Sequence, residues 1–469
     1  MKSIVIIGGG ISSLYLTYLL LKTKKYKIYL YEKKNSFGGR IKTEYSKDGK
    51  VLYETGPWRF HSSHILLQEL LDEFQLDYSP IDIPISYQGF SNKKNKKENS
   101  SLQPTTELTE YQYKSIKNGI SETNLEEEKT GYYDIYNRAN TTNTYSIPND
   151  KKKSNFFIVK DGFSKLVECL VQKLEENENC ILFKNTMVTD IYLKEKYEIK
   201  YKERKENQWI EKEKKKIDYL ILGIPPHNIK EFKSFTLTEN ISMIHSLPLC
   251  HIMGRVSKEI KKYGNFKFIC NSPLSQIISS LYSNEWIQIS YSGGRMAELF
   301  QNLSIQNFLT MKKYIKKEFY KFFPKNIQIK EIKKYFWRHA VHYWLPNLKT
   351  TEDEMMKRSI QPHPKKYPNL FWIGECISKK QGWIEGALET SKYCFELLER
   401  KPKKERNLNK KNTEYVIYNG RNINISKWKY QHPGGIETIE NHIGEDITDL
   451  WNSYHSPEIS RYFMMLEER

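Results

Sequence analysis

The sequence has few cysteines, and they show no pairing pattern. Six cysteines occur among 469 residues, at positions 169, 180, 250, 270, 376 and 394, and none forms a Cys-x-x-Cys pair. Small disulfide-stapled domains and zinc sites depend on closer, repeated spacings. The cysteine usage therefore argues against both and favours a reducing, cytoplasmic setting.

Long uninterrupted apolar runs are also missing. The most hydrophobic stretch, residues 4–21, contains three consecutive glycines, and no small-residue cleavage site follows it. A spanning helix needs about 20 mostly apolar residues, and a signal peptide needs a cleavage motif. We therefore expect neither a transmembrane segment nor a signal peptide.

Acidic residues are fewer than basic ones, 56 against 75, which gives a formal net charge of +19. The excess is lysine spread along the chain, and its densest run, residues 194–216, interleaves acids with bases like a solvated hairpin. No recognised nucleic-acid-binding motif accompanies this charge. The composition thus predicts no nucleic-acid partner and a globular chain of two or three domains.

The first 32 residues carry a strand, a glycine turn, a helix and a second strand. The turn reads Gly8-x-Gly10-x-x-Ser13, and the second strand ends at Glu32. Gly8 permits a tight turn and Gly10 lets the backbone approach a pyrophosphate, while Glu32 can accept ribose hydroxyls. Ser13 replaces the usual third glycine, so helix and strand must tolerate a small side chain. A turn without a ligand is the alternative for this pattern alone.

Further motifs follow the turn at long intervals. Gly38-Gly39-Arg40 comes soon after Glu32, and Gly374-Glu375 and Gly382-Trp383-Ile384-Glu385-Gly386-Ala387 come near residue 380. Together these motifs resemble the flavin-dependent amine oxidase superfamily over most of residues 1–399. The resemblance implies an α/β fold with a Rossmann-like FAD-binding domain of the GR2 type, an α+β substrate domain and non-covalent FAD.

The same resemblance implies domain boundaries. The FAD-binding domain would be discontinuous, formed by residues 1–90, 155–240 and 365–399, and the substrate domain would comprise 91–154 and 241–364. Within the latter, residues 92–154 are polar and low in complexity. Such a composition predicts a partly mobile segment.

The resemblance also assigns site residues. It places Glu32 at the adenosine ribose, Gly39 and Arg40 along the pyrophosphate and flavin, the Val188 backbone at the adenine, and Glu375 near the ribityl and phosphate groups. The Trp383–Ile384 peptide would begin a helix whose positive end points at the flavin. Reduced flavin carries negative charge, which a helix N-terminus stabilises.

Three residues are candidates for the substrate side. Trp383 and Trp344 are implied as aromatic walls, although an ordinary core position is the alternative for each aromatic residue. Many members of the superfamily keep a lysine beside the flavin, and the matching stretch here, "LPLCHIMGRVS", has none. His251 is expected near that position.

The end of the chain carries a different motif. His432-Pro433-Gly434-Gly435 and His455 stand 23 residues apart, within blocks that resemble a shortened cytochrome b5 domain over residues 413–469, after a charged linker of residues 400–412. The resemblance implies haem b with His432 and His455 as axial ligands, and such an iron carries electrons rather than activating oxygen. Either histidine alone could be a surface residue. The first strand and helix of that domain are replaced here, which leaves haem retention open.

These features predict an FAD-dependent oxidoreductase of the amine oxidase type with a haem electron-transfer module. It would oxidise a small-molecule substrate, an amine or a hydrophobic compound, by hydride transfer to flavin, with O2 or the haem as electron acceptor. Two alternatives remain: a desaturase or dehydrogenase of a lipid or isoprenoid, and a non-catalytic flavin-binding structural protein.

Overall fold

The structure is a computed structural model that describes most of the chain. It covers residues 1–88, 156–206, 208–237, 241–270, 272–344, 352–399, 414–426, 428–432, 436–440, 442–456, 459–460 and 463. The chain divides into two compact units, Met1–Glu399 and Arg400–Arg469. The low-complexity stretch 92–154, the linker 400–412 and Pro433–Gly435 lie outside the described residues. The finer domain boundaries stay a prediction.

A five-stranded parallel sheet forms the centre of the first unit. Its strands, in spatial order, are Leu370–Trp372, Tyr219–Leu222, Lys2–Ile7, Tyr26–Tyr31 and Cys180–Phe183. The central strand is fully buried from Ile4 to Ile6 because both faces of a parallel sheet are covered. Distant segments thus meet in one sheet, and the predicted Rossmann-like α/β fold is confirmed.

Helices cover this sheet and share its core. They are Ile11–Lys22, Ile65–Glu73, Phe163–Glu175 and Ile384–Glu399. The predicted helix after residue 161 is confirmed, since Phe163, Leu166 and Leu170 lie on one buried face. The first and last helices contact one another, and the Ser391 hydroxyl donates to the Ser12 carbonyl at 2.8 Å.

Three small antiparallel sheets flank the central one. They comprise Thr186–Leu193 with Tyr197–Lys205 and Gln208–Ile217, Thr43–Tyr45 with Val51–Glu54, and Phe60–His61 with Phe156–Val159 and Tyr78–Pro80. The predicted solvated hairpin is confirmed, because strands Tyr197–Lys205 and Gln208–Ile217 pair with their charged side chains largely exposed.

A second layer of the first unit is a six-stranded sheet. Its strands, in spatial order, are Ile329–Trp344, Ile244–Val256, Trp286–Gly293, Gln276–Ile278, Lys267–Cys270 and Ile85–Gln88. Helices Gly294–Gln306 and Phe308–Phe319 share a separate hydrophobic core with it. The remaining described helical segments are Pro226–Ile229, Lys258–Tyr263, Glu352–Ile360 and Glu375–Ile377.

The second unit is a small α+β domain, as predicted. A hairpin of Tyr415–Tyr418 and Arg421–Asn424 precedes the helical segments Trp428–Gln431, Ile436–Glu440 and Thr448–Tyr454. Its core is centred on Tyr418, Trp451 and Phe463. Across the described part of both units, no helix is long and apolar enough to cross a bilayer.

Candidate functional site

The glycine turn after the first strand is closely packed at Gly8 and leaves open space at Gly10. Gly8 has φ +98°, and a Cβ there would lie 2.5 Å from the Gly223 carbonyl oxygen. A Cβ on Gly10 would meet nothing within 4 Å, while Gly39, at φ +65°, approaches the Gly10 Cα. The backbone thus leaves a space at Gly10 that a side chain would fill, and this space fits the pyrophosphate that the motif predicts.

Ser13 stands where dinucleotide-binding turns usually have glycine, and the structure shows how it is accommodated. Its side chain is fully buried and points at Gly223, where a Cβ would clash with the Ser13 Oγ. The Oγ has no hydrogen-bond partner among the described residues. In this motif the residue without a side chain is usually on the helix. Here it is Gly223, directly after the facing strand Tyr219–Leu222.

Glu32 directly follows the second strand and contacts the glycine turn. One of its carboxylate oxygens accepts the Gly9 N–H at 2.7 Å, and the other accepts the Lys34 N–H at 2.8 Å. A carboxylate offers about four acceptor sites, so two such bonds leave capacity for ribose hydroxyls. The proposed ribose contact stays a prediction.

Two helix N-termini were predicted to face the cofactor. The first starts at Ile11 after Gly10, without a side-chain cap and without an acid in its first turn. Its first N–H groups therefore suit an anion. The second starts at Ile384, the predicted position. The adjacent Glu385 instead accepts the N–H groups of Leu66 and Leu67, so it caps the neighbouring helix.

Glu375 is the centre of a buried polar group that the sequence did not reveal. Its carboxylate accepts three hydrogen bonds: from the Arg40 guanidinium at 2.6 Å, from the His342 Nδ1 at 2.6 Å and from the Gly382 N–H at 2.7 Å. Burial alone raises the pKa of Glu375, but the charges of Arg40 and His342 with these hydrogen bonds outweigh it and hold the pKa at about 2. The group therefore stays ionised and fixes Arg40.

His342 also contributes an atom without a partner. Its Nε2 is buried and makes no hydrogen bond to any described residue, although its Nδ1 is fixed by Glu375. A buried polar atom left unpaired is unfavourable and points to a group outside the chain. This is a second observation, after the space at Gly10, that fits a bound cofactor here.

Trp383 lies half-buried in an aromatic cluster. Its ring meets the His64 ring edge-on at 4.8 Å and stacks on Phe156 at 6.3 Å. The guanidinium of Arg59 lies over the Phe156 ring at 4.1 Å and over the Trp58 ring at 4.8 Å. Burial lowers the pKa of His64 to about 3, so this imidazole is neutral at physiological pH.

Lys267 is a residue that the sequence interpretation missed. It begins strand Lys267–Cys270 of the six-stranded sheet. Burial, and then the charge of Arg59, lower the pKa of Lys267 to about 7. By its accessible surface, however, the residue is only partly buried. A single lysine in a lysine-rich chain carries no sequence signal, so only the fold reveals it.

The other two predicted substrate-side residues are His251 and Trp344. His251 is buried with its ring edge-on to Tyr291 at 4.7 Å, and burial lowers its pKa to about 3. Trp344 has no exposed surface, and its backbone N–H donates to the Gln381 Oε1 at 2.9 Å. The substrate-side roles of His251 and Trp344 stay a prediction.

Val188 is buried in strand Thr186–Leu193, next to a shift in the register with the neighbouring strand. A register shift leaves a backbone group without its regular ladder partner. That geometry is compatible with the proposed adenine contact of the Val188 backbone, which stays a prediction.

In the second unit the two predicted ligands face one another. The ring centroids of His432 and His455 lie 6.0 Å apart. An imidazole nitrogen binds a first-row metal ion at about 2 Å, so two axial imidazoles have centroids about 6 Å apart. The His455 Nδ1 lies 3.1 Å from the Trp451 carbonyl, which leaves Nε2 for the metal. The described residues therefore fit a bis-His haem.

Comparisons with known proteins support both parts. The family description "NAD(P)-binding Rossmann-like domain" matches residues 6–74, and "Cytochrome b5-like Heme/Steroid binding domain" matches residues 401–467. The tail is a cytochrome b5-like domain.

Curated relatives match this tail alone. A Delta 8-(E)-sphingolipid desaturase of Komagataella phaffii is 42% identical over 48 residues, 10% of this chain and 9% of that protein. Acyl-lipid (8-3)-desaturase B of Dictyostelium discoideum is 35% identical over 60 residues, 13% of each chain. The chain therefore spans only about a tenth of the length of these relatives, and the matches concern the cytochrome b5-like region.

Solved structures resemble the first unit. Putrescine oxidase bound to putrescine has a TM-score of 0.60 and 14% identity, covering 85% of this chain and 98% of that one. A proposed protoporphyrinogen oxidase of Exiguobacterium sp. 255-15 has a TM-score of 0.57 and 13% identity, covering 85% and 98%. At this identity the likeness shows the fold of the first unit alone, a flavin-type oxidoreductase fold.

Proposed function

We propose that this chain is an FAD-dependent oxidoreductase of the amine oxidase type whose haem domain takes electrons from the flavin. The observation that carries the proposal is the open space at Gly10, opposite Gly39 and at the uncapped N-terminus of helix Ile11–Lys22. Bound FAD would supply the acceptor for a hydride from a substrate C–H bond next to nitrogen.

The residues of the chain would hold and orient this cofactor. Gly10 and the N-terminus of helix Ile11–Lys22 receive the pyrophosphate, and Glu32 takes the ribose. Arg40, held by Glu375, adds positive charge along the phosphates. The helix that begins at Ile384 presents its positive end to the flavin ring, where negative charge develops on reduction.

Trp383 and its neighbours would form the substrate side. Its ring is half-buried beside His64 and Phe156, and such a wall excludes water and orients the C–H bond to be broken. His64 is neutral because burial depresses its pKa. Because burial disfavours the imidazolium form, His64 serves here as an uncharged wall of the site and not as a proton acceptor.

The haem would then receive the electrons. The bis-His arrangement leaves no open coordination position, which suits electron transfer. The linker of residues 400–412 has a net charge of +6 and the tail 413–469 a net charge of −4, so the first unit carries +17 of the total of +19. Opposite charges favour a salt-sensitive encounter. Only 13 residues of sequence join the two units, which keeps them at roughly millimolar effective concentration.

Two measurements test this function. An absorbance spectrum of the purified protein should contain both flavin bands and a haem Soret band. In stopped-flow mixing with an oxidisable amine, haem reduction should follow flavin reduction at a rate independent of protein concentration and slowed by salt. Rapid peroxide release with an unreduced haem would instead identify O2 as the acceptor, and a flavin that no amine reduces would contradict amine oxidation.

A lipid or isoprenoid dehydrogenase is the second candidate. It is favoured only by the tail, whose curated relatives are lipid desaturases. Haem reduction by a lipid substrate, with none by amines, would select it. For either reaction, the unpaired cysteines support the proposal of a cytoplasmic setting.

A further inference from the structure

Three large apolar side chains are exposed at the turn between helices Gly294–Gln306 and Phe308–Phe319. Ile305 is 70% exposed, Leu309 is 65% exposed and Phe308 is 39% exposed. We call these three residues the apolar turn. Single exposed apolar residues are ordinary on a protein surface, whereas a group of them is typical of a surface that another molecule covers.

The apolar turn has a fixed backbone conformation. The Asn307 side chain accepts the N–H groups of Leu309 and Thr310 at 2.8 and 3.3 Å, and the Asn307 N–H donates to the Leu303 carbonyl at 2.9 Å. Asn307 thereby caps the second helix and closes the first. The buried sides of both helices pack in the core that they share with the six-stranded sheet. The exposed side chains of the turn are not part of that core.

The solvent-facing side of helix Phe308–Phe319 is basic. Four lysines follow Leu309 at the i, i+3, i+4, i+7 and i+8 spacing that places residues on one helical face. They are Lys312, Lys313, Lys316 and Lys317. The Lys312 ammonium lies 4.8 Å from the centre of the Phe308 ring. The positive charge of this face therefore begins directly at the apolar turn.

The helix supplies no acid to balance these lysines. Its one acidic residue is Glu318, which is buried and accepts hydrogen bonds from the Ser272 hydroxyl at 2.9 Å and the Lys321 ammonium at 2.7 Å. None of the four lysines is ion-paired with a residue that the structure describes. The face thus presents four positive charges beside three exposed apolar side chains.

The combination of charge and apolar surface selects among the possible occupants. A second copy that bound through this face with two-fold symmetry would bring lysines against lysines, and like charges repel. A nucleic acid would use the lysines but would leave the apolar turn without a role. An anionic lipid surface uses both, because apolar side chains enter the headgroup region while lysines lie against the lipid phosphates.

We propose that the apolar turn and the four lysines form a docking surface for a membrane that contains anionic lipids. Ile305 and Leu309 enter the headgroup region, and the lysines contact the anionic headgroups around them. Binding is reversible, because only a few apolar side chains are inserted and the remaining attraction is electrostatic. This docking is independent of which substrate the protein oxidises.

Cosedimentation of the full-length, FAD-loaded protein with vesicles measures the docking. Vesicles of phosphatidylcholine with phosphatidylserine should bind the protein, and vesicles of phosphatidylcholine alone should not. Added salt should weaken the binding, because it screens exposed charges. The double variant Ile305→Ser/Leu309→Ser should weaken it about tenfold or more. Lys313→Gln/Lys317→Gln should weaken it by about fivefold for each charge removed.

Trp209→Ser/Ile210→Ser is the matched control. These two apolar residues are 45% and 43% exposed, but they lie on strand Gln208–Ile217 among alternating acids and bases. This variant should bind vesicles like the wild type. Every substituted residue is exposed, so all three variants should keep the flavin content and the unfolding midpoint of the wild type, which separates lost docking from lost folding.

Several outcomes would overturn the membrane surface. They are equal binding to both kinds of vesicle, binding that the Ile305→Ser/Leu309→Ser variant leaves unchanged, and binding that the control variant weakens equally. Slower haem reduction in this variant without vesicles, with vesicle binding unchanged, would assign the apolar turn to the acidic tail of the same chain instead. A concentration-dependent dimer that the variant abolishes would assign it to a second copy. Flavin and haem spectra test the proposed function separately, because they need no vesicles.

Discussion

Removal of the Glu375 charge should destabilise the first unit by an amount that the structure lets us work out. The change Glu375→Gln keeps the side-chain shape but leaves Arg40 and His342 without their shared acceptor charge. The pKa of Glu375 falls from 4.5 to about 2, which corresponds to about 3 kcal/mol of stability at neutral pH. The Arg40 side chain is 34% exposed, and solvent screens its contribution, so we expect about 2–3 kcal/mol.

Urea unfolding followed by tryptophan fluorescence measures this loss. Seven of the nine tryptophans precede residue 400, so the signal reports mainly the first unit. Asp353→Asn is the control, because Asp353 pairs with Lys357 and Lys379 at a 38% exposed position. Removal of the Asp353 charge should lower the free energy of unfolding by less than about 0.5 kcal/mol. A loss for Glu375→Gln no larger than that of the control would refute the reasoning.

The same prediction has a pH dependence with a definite sign. The pKa of Glu375 is depressed in the folded state, so its contribution is fully present above about pH 4.5 and disappears as the pH falls toward 2. The difference between wild type and Glu375→Gln should therefore be constant from pH 6 to 8 and shrink below about 4.5. A difference that grows on acidification would show that Glu375 is neutral in the folded protein.

Three further predictions concern the cofactors. Gly10→Ala should leave the unfolding midpoint of the cofactor-free protein unchanged, because its Cβ enters open space, but it should weaken FAD binding, because that space is the one proposed for the pyrophosphate. Gly9→Ala is the contrasting variant and should lower the unfolding midpoint itself, because its Cβ would clash with Phe37. Trp383→Ala should slow flavin reduction by substrate in stopped flow by at least tenfold while flavin content stays near wild type, and equal loss of both would make Trp383 a packing residue. His455→Ala should abolish the Soret band of a low-spin haem without changing flavin content, and an unaltered band would exclude His455 as a ligand.

The elements that the sequence predicted correctly have local signals. The turn around Gly8 and Gly10 and the helix Phe163–Glu175 each follow from spacings within about 15 residues. The two tail histidines have a motif with a fixed spacing, and their rings do face one another. Short-range patterns of this kind survive in a single sequence because the backbone geometry itself requires them.

The residues that the sequence did not reveal are brought in by sheet register. His342 reaches Glu375 only because strand Ile329–Trp344 passes the segment after strand Leu370–Trp372. Lys267 enters the six-stranded sheet by pairing with Ile85 on one side and Ile278 on the other. Nothing in the spacing of either residue marks it, and the Lys-rich composition hides the second. The lysine of the superfamily is expected on the strand of His251, which has none. Lys267 lies on another strand of the same sheet.

The contact between Ser13 and Gly223 makes these two positions one steric unit. Since the Ser13 side chain occupies the place of a Gly223 Cβ, the pair can hold one small side chain in total, on either the helix or the strand. A homologue with glycine at position 13 loses the clash at position 223, where an alanine Cβ would then meet the Ile7 carbonyl oxygen at 3.3 Å, whereas side chains at both positions exclude each other. The two sites should therefore covary across relatives, and this covariation would reveal the helix–strand crossing from sequences alone.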